Sequence, residues 1–192
     1  MSVADAVLLG RARNVRLAIF DVDGVMTDGT LYIGAGGESF KAFNILDGHG
    51  VKMLQAAGVA TAILSGRSSE AVVRRAAELS IEHVVQGSRD KVADFERLAA
   101  SLGIDDRACA FVGDDLPDLA VMKRCGFAVA VANAVPAVKE AAHYVTRAFG
   151  GGGAVREFCE LVIAARGELG TDPAARSAPV AAGGQLGPDS AV

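Results

Sequence analysis

A chain of 192 residues, 51% hydrophobic and 22% charged, has enough apolar matter for one substantial core, which makes the body globular rather than disordered. Its formal net charge of −4 argues against a duplex nucleic acid partner. No apolar run approaches the ~20 residues of a membrane span, and no charged-then-apolar leader opens the chain. The cysteines Cys109, Cys125 and Cys159 form no C-x-x-C pair and read as buried reduced thiols, so the expected address is the cytoplasm.

In chain order, a short lead (Met1 to Asn14) precedes a βαβα rhythm. Apolar runs predict strands at Arg16–Phe20, Ala60–Leu64, His83–Val85, Ala108–Val112 and Phe127–Val131. Helical patterns fall at His49–Ala57, Ser69–Leu79, Lys91–Leu102, Leu116–Arg124 and Ala137–Ala142, with a last helix at Ala154–Arg166 after the run Gly150–Gly153. Near-continuous apolar strands separated by helices predict a doubly wound, Rossmann-type parallel α/β sheet covered on both faces. Leu31-Tyr32-Ile33, Gly34–Gly37 and Glu38–Phe43 predict a β-hairpin projecting after the first strand. Thr171–Val192, rich in Ala, Gly, Pro and Ser without apolar period, predicts a disordered tail.

Chemistry enters where strands end. Leu17–Phe20 runs into Asp21-Val22-Asp23-Gly24, placing two carboxylates at the rim where an open α/β sheet holds its ligands. Two acids there suit a hard cation such as magnesium, and one of them can attack phosphorus. An EF-hand reading fails, because Val25, Met26 and Tyr32 stand where that loop needs Asp or Asn, Gly and Glu. Ala62-Ile63-Leu64-Ser65-Gly66-Arg67 is a second strand ending in a hydroxyl and glycine before a helix: an anion site, or on its own merely a helix cap. Lys91 opens a helix, where the macrodipole disfavours a cation; a lysine there is tolerable as a solvated surface charge and useful if it faces bound phosphate and a carboxylate. Gly113-Asp114-Asp115-Leu116-Pro117-Asp118 supplies three more acids, of which capping explains one. Parallel strands point to one edge, so Asp21, Asp23, Ser65, Lys91, Asp114 and Asp118 are expected to converge there.

These four motifs, in this order, resemble those of the haloacid dehalogenase superfamily. Asp21 to Gly29, Asp47-Gly48-His49-Gly50-Val51-Lys52-Met53-Leu54, Leu64 to Arg67, Gly113 to Asp118 and Gly153-Ala154-Val155-Arg156-Glu157 are similar to its 3-deoxy-D-manno-octulosonate 8-phosphate (KDO 8-phosphate) phosphatases. The likeness covers roughly residues 15 to 168. It implies one capless domain over 1–170 with the tail at 171–192. It further implies a hydrolase of lipopolysaccharide precursor synthesis, assembled as a homotetramer through the hairpin.

On this resemblance Asp21 is the nucleophile, Asp23 the general acid and base, and Lys91 the charge that steadies the transition state. Ser65, Gly66, Arg67 and Lys91 bind substrate, with Arg67 reading the sugar carboxylate. Asp21, Asp23 (through its carbonyl) and Asp114 hold Mg2+, and Asp118 orients metal waters or Lys91. The subgroup has arginine where this chain has Leu46 and Gly152. Lys41, Arg147 or Arg156 are the candidates to compensate, although Lys41 also fits an exposed hairpin position and Arg156 a solvated first-turn charge. His49 reads by default as a surface residue, with a place capping or lining the site mouth as the alternative. A phosphatase of another sugar acid phosphate, such as a nonulosonate 9-phosphate, is the rival enzyme reading. A receiver-like phospho-acceptor module is the rival without catalysis, and a general acid two residues after the nucleophile counts against it.

Overall fold

The computed structural model describes residues 3–167; the predicted tail at 171–192 lies outside them. Leu17–Phe20 forms β1, every residue of it buried. It is flanked in parallel by β4 (Ala60–Leu64) on one side and β6 (Cys109–Gly113) on the other. The hairpin strands β2 (Tyr32–Gly34) and β3 (Gly37–Phe40) form a separate two-stranded sheet. With β5 (His83–Val85), β7 (Phe127–Ala130) and a two-residue β8 (Tyr144–Val145), the main sheet runs β5-β4-β1-β6-β7-β8, all parallel. The chain winds outward from β1 to β5 and then returns to build the other half from β6. That reversal makes the β1/β6 junction the topological switch point, where a crevice opens at the strands' carboxyl ends.

Among the described residues, the eight strands are accompanied by seven α-helices: α1 (Val3–Arg13), α2 (Ile45–Ala56), α3 (Glu70–Glu78), α4 (Lys91–Ser101), α5 (Leu119–Met122), α6 (Pro136–Ala141) and α7 (Ala154–Ala165). Helix α7 seals one face with a fully buried Phe158, whose ring meets Phe20 edge-on at 5.8 Å and Phe127 at 6.1 Å. The three cysteines are free and buried; burial pushes the Cys109 thiol up to about 12 and that of Cys125 to about 11, so neither is a nucleophile at neutral pH.

Five elements differ from the sequence expectation by more than a residue at one end. The N-terminal lead is a helix, because α1 is tied down by tertiary bonds: Arg13 donates Nε–H to the Ala165 carbonyl (2.8 Å) and Arg11 donates Nη1–H to that of Gly126 (2.7 Å). Helix α2 begins four residues before His49, since the Asn44 side chain accepts from the Leu46 and Asp47 amides and caps it. The segment predicted as helix Leu116–Arg124 is a 3-10 turn (Leu116–Asp118) followed by the short α5. The hairpin is present with shorter strands, and β8 had no periodic signal because it has two residues.

Candidate active site

The ladder register sets the site. Phe20 pairs with Ile63 and Val112, so the residues that follow (Asp21, Leu64-Ser65, Gly113-Asp114) emerge side by side at the same rim. Asp21 stays in the ladder through its amide, which donates to Val112 O (3.1 Å), and its Oδ1 accepts from the Val22 amide at 2.7 Å. The loop beyond is stapled by buried Thr27, whose Oγ1 donates to Val22 O and accepts from the Gly24 and Gly29 amides. Sequence reasoning missed that staple. A short hydroxyl three residues after a glycine turn was its only signal.

Lys91, at the start of α4 and buried, reaches across to this loop. Its Nζ donates to Asp118 Oδ1 at 2.7 Å and stands 3.0 Å from Asp21 Oδ2. Burial works against its charge, but the two carboxylates outweigh that and hold the ammonium above its ordinary pKa. The other oxygen of Asp118, Oδ2, accepts from the Asp114 (2.9 Å) and Asp115 (3.3 Å) amides, so both oxygens of this fully buried carboxylate are engaged. Asp118 therefore positions Lys91 and the Asp114 backbone together.

Asp114 is left differently. One oxygen of each of Asp21, Asp114 and Asp118 lies within 4.8 Å of the others, and Asp114 Oδ1 is buried with no hydrogen-bond partner. Burial, then the charge of Asp118, raises Asp21 to about 6, with Lys91 pulling the other way. Burial followed by Asp118 and Asp21 raises Asp114 to about 7. A cluster of hard oxygens with one orphaned acceptor fits a divalent cation. Gly24 makes the approach feasible: it sits at φ +89, and a Cβ there would meet Asp114 Oδ2 at 2.1 Å.

The rest of the predicted set is gathered at the same rim. The Ser65 side chain is buried, its Oγ accepts from the Arg67 amide (3.3 Å), and the Ser88 amide donates to its carbonyl (3.1 Å). Gly66 and Arg67 are exposed beside it. Asp23 stands apart from the cation cluster and pairs with Lys41 and with Arg67, whose Nε is 3.7 Å from its Oδ2.

Lys41 corrects the expectation of an exposed hairpin residue, since its side chain is only 2% exposed. It follows the hairpin strand β3, which turns it inward. Arg147 and Arg156 pair with Glu157 and Glu160 instead of turning to the carboxylates at the rim. His49 is exposed, as expected.

Two motifs that mark the resemblance prove to be scaffold. Asp47, buried in the first turn of α2, accepts from the Gly153 (3.3 Å) and Arg156 (2.8 Å) amides and so caps α7, whose own N-cap residue has no side chain. Burial raises its pKa even so, the amides opposing. Glu157 accepts from Tyr144 Oη (2.6 Å) and from the Arg147 and Ala148 amides, anchoring the loop that leads to Gly150. Asn133 then joins that loop to the one after β1, donating to Gly24 O (3.2 Å) and accepting from the Gly150 amide (2.7 Å). A Cβ on Gly150 would meet Gly24 O at 1.7 Å, so only glycine lets the two backbones touch.

A parallel sheet with carboxylates, lysine and hydroxyl collected at its switch point defines the class, and a family model described as haloacid dehalogenase-like hydrolase matches residues 81–155. The 3-deoxy-D-manno-octulosonate 8-phosphate phosphatase KdsC of Yersinia pestis is 47% identical over 167 residues, 87% of this chain and 89% of that protein. Its counterpart from Escherichia coli K12 is 45% identical over 162 residues, 84% of this chain and 86% of that one. A crystal structure of the Moraxella catarrhalis phosphatase in complex with magnesium, phosphate and KDO superposes with TM-score 0.81 at 41% identity, covering 83% of this chain and 92% of that one. This chain belongs to the 3-deoxy-D-manno-octulosonate 8-phosphate phosphatase family of haloacid dehalogenase-like hydrolases.

Proposed function

We propose that the chain hydrolyses 3-deoxy-D-manno-octulosonate 8-phosphate to the free sugar acid and phosphate, magnesium-dependently and through an aspartyl-phosphate, in lipopolysaccharide precursor synthesis. The observation that carries this is the buried Asp21–Lys91–Asp118 constellation with Asp114 Oδ1 left unpartnered beside it.

A carboxylate oxygen of Asp21 attacks phosphorus as the bond to the sugar oxygen breaks. Asp23 gives its proton to that departing oxygen and later takes one from the water that cleaves the aspartyl-phosphate, so the proton count closes over the cycle. Ser65 Oγ, the Gly66 amide and Lys91 Nζ hold the phosphoryl oxygens; Lys91, already fixed by Asp118, meets the growing charge without reorganising. Arg67 takes the sugar carboxylate, its guanidinium being half-exposed next to Ser65. Asp21, Asp114 and the Asp23 carbonyl would hold Mg2+, which would neutralise negative charge on the nucleophile and the phosphoryl group.

Lys41 supports this reading as the cation that holds Asp23 in place. Leu46 is exposed and Gly152 has no side chain, so neither replaces the arginines of the subgroup, which favours a nonulosonate 9-phosphate as the second substrate to test. Phosphate release across purified sugar acid phosphates decides: the octulosonate 8-phosphate is expected to give the highest kcat/KM, and EDTA to silence it. A higher kcat/KM on the nine-carbon acid overturns the assignment.

Assembly as a homotetramer is supported by the hairpin, which stands outside the main sheet and exposes Leu31, Ile33 and Phe40. Light scattering that returned a monomer would refute it. A cytoplasmic setting accords with three free buried thiols, and among the described residues no helix is long and apolar enough to cross a membrane.

A further inference from the structure

At the pole opposite the carboxylate rim, a hollow of about 630 Å3 opens between α1, the 3-10 turn Asp106–Ala108, the end of α5 and the segment entering β8. Its walls include Arg107, Gly126 and His143, which directly precede or closely approach the N-terminal ends of β6, β7 and β8. A β6 strand of five residues separates it from Asp114 by roughly 15 Å or more.

The charge there is one-sided. Arg11, Arg107, Lys123 and Arg124 line the hollow, and the carboxylates beside it, Asp106 and Glu96, are both taken up by Arg124, although the chain as a whole is net negative. Arg124 is paired, with Glu96 at 2.7 Å and Asp106 at 3.0 Å. Among the described residues Arg107 and Lys123 have no carboxylate partner, and Arg11 has only the Gly126 carbonyl. That bond fixes Arg11 by one Nη1–H and leaves the rest of its fork directed elsewhere. His143 accepts the Ala128 amide at Nδ1 (2.9 Å), which leaves Nε2 as the donor nitrogen, and its ring stacks on Phe127. Basic residues at helix ends are ordinary complements to the macrodipole, which accounts for Arg11 at the end of α1. It does not account for Arg107 on a 3-10 turn, nor for four cations lining one open depression.

We infer that this hollow is a second ligand site, for a phosphate monoester of sugar size, with Arg107, Lys123 and Arg11 taking the phosphate and the Val7, Gly10 and Asn14 side of the hollow taking the body. The volume suits a small metabolite, and planar guanidiniums suit a dianion. The site is independent of the catalytic reading and stands whichever sugar acid the rim accepts.

The test is isothermal titration of the full chain with glucose 6-phosphate in EDTA, where the catalytic carboxylates have no cation and turnover is off. Saturable binding is expected, weakened roughly tenfold or more in Arg107→Glu/Lys123→Glu and unchanged in Ser65→Ala. Both substituted side chains are exposed, and the single variant Lys123→Glu, expected to weaken binding in the same direction, guards against a folding artefact in the double one. No saturable binding, equal affinity in the charge-reversed variants, or loss confined to Ser65→Ala overturns the inference.

Discussion

Replacing Asp114 by asparagine should stabilise the metal-free protein while destroying its cation response. The carboxyl is carried from its ordinary 3.8 to about 7 by burial and by Asp118 and Asp21. In full enclosure a displacement of that size would cost the fold about 4 kcal/mol at alkaline pH. Asp114 is only half-buried, so solvent screening reduces this to about 2 kcal/mol. The sign is fixed by linkage. Between pH 3.8 and 7 the folded state binds more protons than the unfolded one, so stability present at acid pH is lost as pH rises through the folded value. An asparagine side chain cannot ionise and escapes the loss. In EDTA at pH 8, Asp114→Asn is therefore expected to melt about 4 to 8 °C above wild type, a gap that narrows toward pH 5. Millimolar magnesium should raise the wild-type midpoint and leave that of the variant in place. Scanning calorimetry on both proteins at the two pH values decides. A variant that melts at or below wild type in EDTA at pH 8 would show that no repulsion is stored there, and the case for a cation at Asp114 would fall with it.

The remaining tests address individual side chains. Asp21→Asn with magnesium and the octulosonate phosphate should lose about a thousandfold or more in kcat, and residual turnover near wild type would remove Asp21 as nucleophile. Magnesium affinity, measured by calorimetry, should fall as pH drops through 7 toward 6, because Asp114 at about 7 and Asp21 at about 6 must give up protons to bind it; an affinity flat over that range would contradict the ligand set. Asp47→Ala, which uncaps α7 and strands buried amides, should cost about 2 kcal/mol in urea unfolding, whereas a loss under ~0.5 kcal/mol would mean that α7 is held by packing alone. Lys41→Met should lower kcat/KM at least about tenfold by releasing Asp23 from its buried partner; steady-state kinetics unchanged from wild type would assign Lys41 to the scaffold.

The strand ends were legible without coordinates because a buried parallel strand needs an unbroken apolar run, and its polar successor is forced to the rim. Leu17–Phe20 before Asp21, Ala60–Leu64 before Ser65 and Cys109–Gly113 before Asp114 all declare themselves in this way. Helix α1 did not, because it has no continuous apolar stripe and owes its place to carbonyls more than 100 residues away.

The same division runs through the site. Residue order determined which carboxylates, hydroxyl and lysine meet, since topology alone brings parallel strand ends together. Only the tertiary structure decided what each one touches: Asp118 spent on Lys91 and two amides, Asp114 left with an orphaned oxygen, Lys41 turned inward to Asp23, Asp47 given over to capping α7. Those choices rest on distances of a few ångströms between segments remote in the chain, and no local pattern encodes a distance of that kind.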